Sequence, residues 1–232
     1  MFVALTFDVE DPDQRDHGTP HAVMTILEAL GRSDIRATFF LQGRWTSANP
    51  DAAAAVGAAG HLVGNHSYFH ADSRLLTTKG MREDVNRAHA AIEERVGVDA
   101  RPWYRLPYGA GADSHLVQDR LHALGYRHVG WDVDVRDYAM GDVAAMVPAM
   151  TELLDERERA GATHAIVLLH SWPVVTADAM PELCRFLLDR CEGTVTVDQV
   201  PGSGAVVPTR SRLEERVRGL ASRTRTVLRR PA

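Results

Sequence analysis

Short apolar runs alternate with longer segments of helical periodicity along most of this chain. Strands are expected at 2–7 (FVALTF), 37–41 (ATFFL), 61–65 (HLVGN), 101–105, 127–131 (RHVGW), 165–169 (AIVLL) and 194–197 (TVTV). Between them the spacing predicts helices over 20–31, 49–59, 78–96, 114–124, 142–160 and 178–191, with apolar faces such as Met81, Val85, Ala88 and Ile92. Asp51, Ser114 and Asp178 lie at plausible helix starts, and Gly31 and Gly125 at plausible stops. Repeated strand–helix units build a mainly parallel sheet with helices outside, here a barrel or a partly open one. Chemistry in such folds gathers at the C-terminal ends of the strands.

Polar residues follow those ends at five places far apart in sequence: Asp8, His66, Arg105, Asp134 and His170. A shared rim for all five is the strongest sign of a site. His66 and His70, four apart in GNHSYFH, stack on one face if the segment is helical or tightly turned. Neutral imidazoles there would form half of a divalent-metal site, with positions open for water and a substrate oxygen. Asp8, Glu10 and Asp11 crowd three acids into TFDVED, which a bound cation would relieve. In an extended segment Asp8 and Glu10 share a face while Val9 points away. One carboxylate can then bind metal while another acts as base.

Arg105, in WYRLPYG, is suited to orient Asp8 and keep it ionised. The turn Pro107–Tyr108–Gly109 offers a backbone N–H to an oxyanion. In WDVDVRDY, Trp131 is a core or pocket residue, and an Asp near a catalytic His favours its protonated form. His170, after the apolar run IVLL, is placed to protonate a leaving group. Leu168 and Trp172 would line a slot for an acyl methyl. His128 and the remaining histidines carry no assigned role. No nucleophile elbow of the form G-x-S-x-G and no phosphate-cradling loop occurs.

Composition narrows the classes. With 232 residues, 45% of them hydrophobic and 25% charged, the chain can bury a full core. A net charge of −5 argues against broad nucleic-acid binding. Cys184 and Cys191 fall within one expected helix, a poor geometry for a disulfide, and are expected to be reduced. No run of about 18 apolar residues suggests a membrane span. The first residues lack a basic region followed by an apolar core, so the expectation is a cytoplasmic protein; an extracellular one would require a removed signal. Residues 201–209 are expected to link a barrel domain (1–200) to an Arg-rich helix or tail. Leu213, Val217, Leu220 and Val227 lie among its arginines, so a peripheral contact with a membrane, a partner or an acidic patch is the alternative to a solvated tail.

In motif order, the chain resembles the polysaccharide deacetylases, the NodB-homology carbohydrate esterases. TFDVE resembles TFDDG, HSYFH the motif H-S/T-x-x-H, and RLPYG the motif R-x-P-Y-G. WDVDVRDY resembles W-x-x-D-x-x-D-W, and LLHS resembles L-L-H-D. The resemblance spans roughly residues 2–200. It implies a distorted (β/α)7 barrel that binds one divalent metal, often zinc, and removes an acetyl group from an N- or O-acetylated sugar or glycan. Cobalt, nickel or iron would also suit two His and a carboxylate. By that resemblance Asp8 is the base, Arg105 holds it, His66 and His70 bind metal, Tyr108 supplies the oxyanion N–H, and Asp134 tunes the acid His170.

Two positions depart from the pattern. Val9 stands where the metal carboxylate usually follows the base; Glu10 fits a D-x-E variant, with Asp11 the second candidate. Ser171 stands where Asp often follows the His. The alternative readings are a relative acting on a small non-sugar amide or imide, and a metal-free carbohydrate-binding relative without catalysis.

Overall fold

Strand β1 (Phe2–Val9) runs through the centre of the fold, and its alternation divides the interior in two. Val3, Leu5, Phe7 and Val9 pack outward into the main core beneath the helices. Ala4 belongs to a second cluster with Phe40, Val129 and Ile166, which fills the barrel. Thr6 and Asp8 follow Ala4 on that inner face. The structure, a computed structural model, describes residues 1–11 and 20–203.

The remaining elements follow in order: α1 (Pro20–Arg32), β2 (Thr38–Leu41), α2 (Gly43–Ala48), α3 (Pro50–Ala58), β3 (Leu62–Asn65) and α4 (Thr78–Val96). Then come β4 (Trp103–Tyr104), α5 (His115–His122), β5 (Arg127–His128), β6 (Val133–Asp134), α6 (Met146–Arg159), β7 (His164–His170), α7 (Val174–Arg190) and β8 (Gly193–Val195). All recorded strand pairs are parallel, in the order β5-β4-β3-β2-β1-β7-β6, with β8 also against β1. This is the expected barrel of parallel strands with helices around it. β5 and β6 are four residues apart on one segment, which pairs with β4 through its first part and with β7 through its second.

Among the described residues there are eight strands where seven were expected, and several are shorter. The run at 101–105 contributes only Trp103–Tyr104, since Pro102 has no N–H for a ladder. The run at 127–131 stops at His128; the carbonyls of Val129 and Gly130 turn to the Arg105 side chain instead. The chain then forms β6, which was not anticipated, against β7. The helix expected at 49–59 begins at Pro50, after a separate short helix, and α7 begins at Val174, directly after Pro173. The expected 78–96 helix is α4, capped by Thr77 and ended by Gly97 at φ 78°.

Cys184 is buried in α7 and Cys191 lies just beyond its end, both as free thiols. Among the described residues, no helix is long and apolar enough to cross a membrane. Residues 204–209 and the Arg-rich segment from 210 onward lie outside the described residues.

Candidate active site

Asp8 and His170 are register partners on β1 and β7, so adjacent strands deliver a carboxylate and an imidazole to the same rim. One residue beyond the end of β1, Glu10 reaches that rim as well, and all three are buried or nearly so. Across the barrel, β3 ends at Asn65 and leads into His66 and His70.

These two histidines do not meet through a helix. The segment is a tight turn, with Ser67 at φ 66° and His70 at φ 58°. Asn65 Oδ1 accepts the Ser67 N–H at 2.9 Å, and Ser67 Oγ accepts the His70 N–H at 2.9 Å. From α4, the buried Asp84 accepts the N–H groups of Tyr68 and Phe69 at 3.1 and 2.9 Å. Left-handed backbone at two non-glycine residues is costly, and these side chains hold it in place. Sequence reasoning missed Asp84, although an acid beside Met81, Val85 and Ala88 on an apolar helix face was a visible signal.

The imidazoles converge on Glu10. Its Oε2 lies 2.6 Å from His70 Nε2 and 3.4 Å from His66 Nε2. Ligand atoms of the three residues lie within 4.8 Å of one another. His66 Nδ1 is 2.9 Å from the Arg105 carbonyl, so in the neutral ring the proton sits there and Nε2 carries the lone pair. Despite the short distances, no hydrogen bond of good geometry reaches Glu10 Oε2, which is fully buried. A buried carboxylate oxygen facing two imidazole nitrogens is a donor set suited to a divalent cation.

The charges agree. Burial works to raise the Glu10 carboxyl, but His66 and His70 outweigh it and hold it well below the ordinary range. Burial also opposes charge on His66, yet Asp8 and Glu10 pull its pKa up. The cluster attracts positive charge, for which protons and metal compete. Asp11, the second carboxylate candidate, is not part of this cluster; its main-chain N–H donates to Gln42 Oε1 at 3.1 Å.

Arg105 is completely buried and spans the barrel interior. Its Nη1 donates to Asp8 Oδ1 at 2.9 Å and to Thr6 Oγ1 at 2.8 Å. Nε and Nη2 donate to the carbonyls of Val129 and Gly130 at 3.2 and 3.0 Å. The guanidinium also lies over the Phe40 ring, 4.1 Å from its centroid. Asp8 Oδ2 is left 3.5 Å from His66 Nε2, facing the cluster. His128, pushed down to about 3 by burial and then by Arg105, is neutral and accepts the Leu106 N–H.

His170 is gripped by Asp137, not Asp134. Asp137 Oδ1 lies 2.8 Å from His170 Nδ1, while Oδ2 accepts the His170 N–H and the Thr176 hydroxyl, each at 2.7 Å. Burial disfavours the charged ring, but Asp137 outweighs it, and His170 rises to about 9. Asp134 instead accepts the Arg136 N–H at 2.8 Å, and burial raises its carboxyl. Two acids three apart in one motif leave the choice open in sequence; the turn at Asp137–Ala139 decides it.

The other expected residues fall around this centre. Tyr108, at φ 57°, sets its ring edgewise to His70 with centroids 4.5 Å apart. Leu168 is buried on β7 two residues before His170, on the same side of the strand. Trp131 packs against the inner cluster, and its ring centroid is 5.8 Å from the Arg105 guanidinium. Trp172 lies 6.0 Å from the His170 ring and donates its indole N–H to Glu10 Oε1 at 3.3 Å.

Comparison with known proteins gives the family and the fold. The family model for polysaccharide deacetylase matches residues 1–129. A chitooligosaccharide deacetylase from Rhizobium leguminosarum bv. trifolii is 32% identical over 170 residues, covering 72% of this chain and 70% of that protein. An uncharacterized 30.6 kDa protein from Geobacillus stearothermophilus is 26% identical over 162 residues, 70% of this chain and 59% of that relative's length. Among solved structures, a family 4 carbohydrate esterase from Streptomyces lividans in complex with acetate superposes with a TM-score of 0.70. It is 28% identical, and the match covers 90% of this chain and 98% of that one. A CE4 family pseudoenzyme from Bacillus anthracis has the same fold, with a TM-score of 0.71 at 24% identity over 83% of this chain and 63% of that one.

Proposed function

Because the chain belongs to the polysaccharide deacetylase family, we propose that it is a metal-dependent hydrolase that removes acetyl groups from an N- or O-acetylated sugar or glycan. A pseudoenzyme shares the fold, so the fold alone does not carry this reading. The observation that carries it is the convergence of Glu10, His66 and His70 beside the Asp8–Arg105 pair, with the Asp137-bound His170 on the neighbouring strand.

Glu10, His66 and His70 would hold the ion, for which zinc fits the donors best and cobalt, nickel or iron also fit. When bound, it polarises an acyl carbonyl and makes water more acidic. Asp8, fixed through Oδ1 by Arg105, uses Oδ2 to take a proton from the attacking water. The new bond joins water oxygen to the acetyl carbon. The Tyr108 N–H stabilises the oxyanion that develops. His170, kept protonated by Asp137, gives its proton to the departing nitrogen or oxygen as the bond to the acetyl carbon breaks. Acetate and the free amine or alcohol are the products. Trp131, Leu168 and Trp172 line the slot that takes the acetyl methyl.

The test is to incubate metal-loaded protein with N-acetylglucosamine oligomers and with a panel of small amides and imides, and to assay acid release. Acetate from the sugars, lost in Asp8→Asn and His66→Ala, is the expected result. Turnover of only the small amides would move the substrate class. Activity that survives both substitutions would overturn the assignment.

A further inference from the structure

Glu10 performs its proposed task from an unusual place, two residues beyond Asp8 rather than next to it. A glutamate has one more rotatable bond than an aspartate, so its carboxylate needs an anchor to present one oxygen reproducibly. The anchor is visible. Trp172 Nε1 donates to Glu10 Oε1 at 3.3 Å, while Oε2 faces the two imidazoles without a well-formed hydrogen bond. We infer that Trp172 is a positioning residue for the metal ligand, holding Glu10 so that Oε2 alone is offered to the ion.

The tryptophan is itself held. The N–H of the preceding Ser171 donates to the Asp8 carbonyl at 3.1 Å, tying the β7–α7 loop to β1 next to Glu10. The following Pro173 fixes the entry to α7. With Oε1 engaged, Glu10 would offer an ion one oxygen. Without that donor both carboxylate oxygens would be free to turn toward it. Partners that orient a metal ligand in this way typically contribute about 10–100-fold in affinity.

This inference rests on the metal site of the proposed function, and the experiment separates the two. Cobalt(II) is titrated into the 232-residue chain, with binding followed by visible absorption, for the wild type, Trp172→Phe, Glu10→Gln and the double variant. Phenylalanine keeps an aromatic ring but has no N–H. The expected results are roughly 10–100-fold weaker cobalt binding with an altered ligand-field spectrum in Trp172→Phe, and no further loss when it is added to Glu10→Gln. Wild-type affinity and spectrum in Trp172→Phe, or losses that simply add in the double variant, would overturn the role of Trp172 and leave the metal site standing. A wild-type protein that binds no cobalt would overturn the metal site and this inference together.

Discussion

Asp137 meets His170 at two points, accepting its ring Nδ1–H at 2.8 Å and its main-chain N–H at 2.7 Å. A single carboxylate thus sets both the position of the imidazole and its charge. In Asp137→Asn the ring loses its anionic partner. The alkaline limb of the pH–rate profile, expected near 9 or somewhat lower with a dication at Glu10, should move down by a unit or more. Activity at about pH 8 should fall by up to about 100-fold. Profiles of kcat and kcat/KM for the two proteins measure this directly.

The same pair makes stability depend on pH. His170 is raised to about 9 in the folded protein, against about 6.5 for an unfolded chain. The folded state therefore binds the extra proton between those values. Its contribution, on the order of 3 kcal/mol, is complete below about pH 6.5 and is lost as pH rises through about 9. Urea unfolding of the metal-free protein at both ends of that range should show the decline, and Asp137→Asn should flatten it.

Arg105 and Asp8 separate fold from chemistry. Replacing Arg105 with Met leaves Asp8 buried without its cation and should cost about 3–5 kcal/mol in urea unfolding. Asp8→Asn keeps an oxygen that can accept from Nη1, so its stability loss should be smaller while hydrolysis disappears. A well-folded, inactive Asp8→Asn beside a strongly destabilised Arg105→Met is the expected pattern.

Glu10 and Asp11 should differ sharply in metal affinity. Glu10→Gln is expected to weaken zinc or cobalt binding by more than the roughly 100-fold that outer partners typically contribute. Asp11→Asn should leave it unchanged. Competition titration with a chromophoric chelator distinguishes the two, and a larger effect at Asp11 would reassign the ligand.

Elements whose pattern is local were legible in the sequence. β1 and α4 are defined by their own periodicity and caps, so 2–7 and 78–96 lie close to the observed spans. The two-residue strands β4, β5 and β6 are defined by their neighbours, and no period exists in two residues. The site divides in the same way. Asp8, Glu10, His66, Arg105 and His170 sit at or next to strand ends, with His70 in the turn after β3, where type and position already signal chemistry. The choice of Asp137 over Asp134 depends on a turn with Arg136 at φ 57°. The Trp172–Glu10 bond depends on how the β7–α7 loop lies against β1, which no spacing encodes.

An unpaired strand edge invites other chains to add a strand. Here one segment, from Arg127 to Asp134, pairs with β4 at its start and with β7 at its end. Between them the Val129 and Gly130 carbonyls accept from Arg105, and the Asp132 N–H donates to the Ile166 carbonyl. The groups that would template another strand along this seam are already engaged, which discourages self-association there.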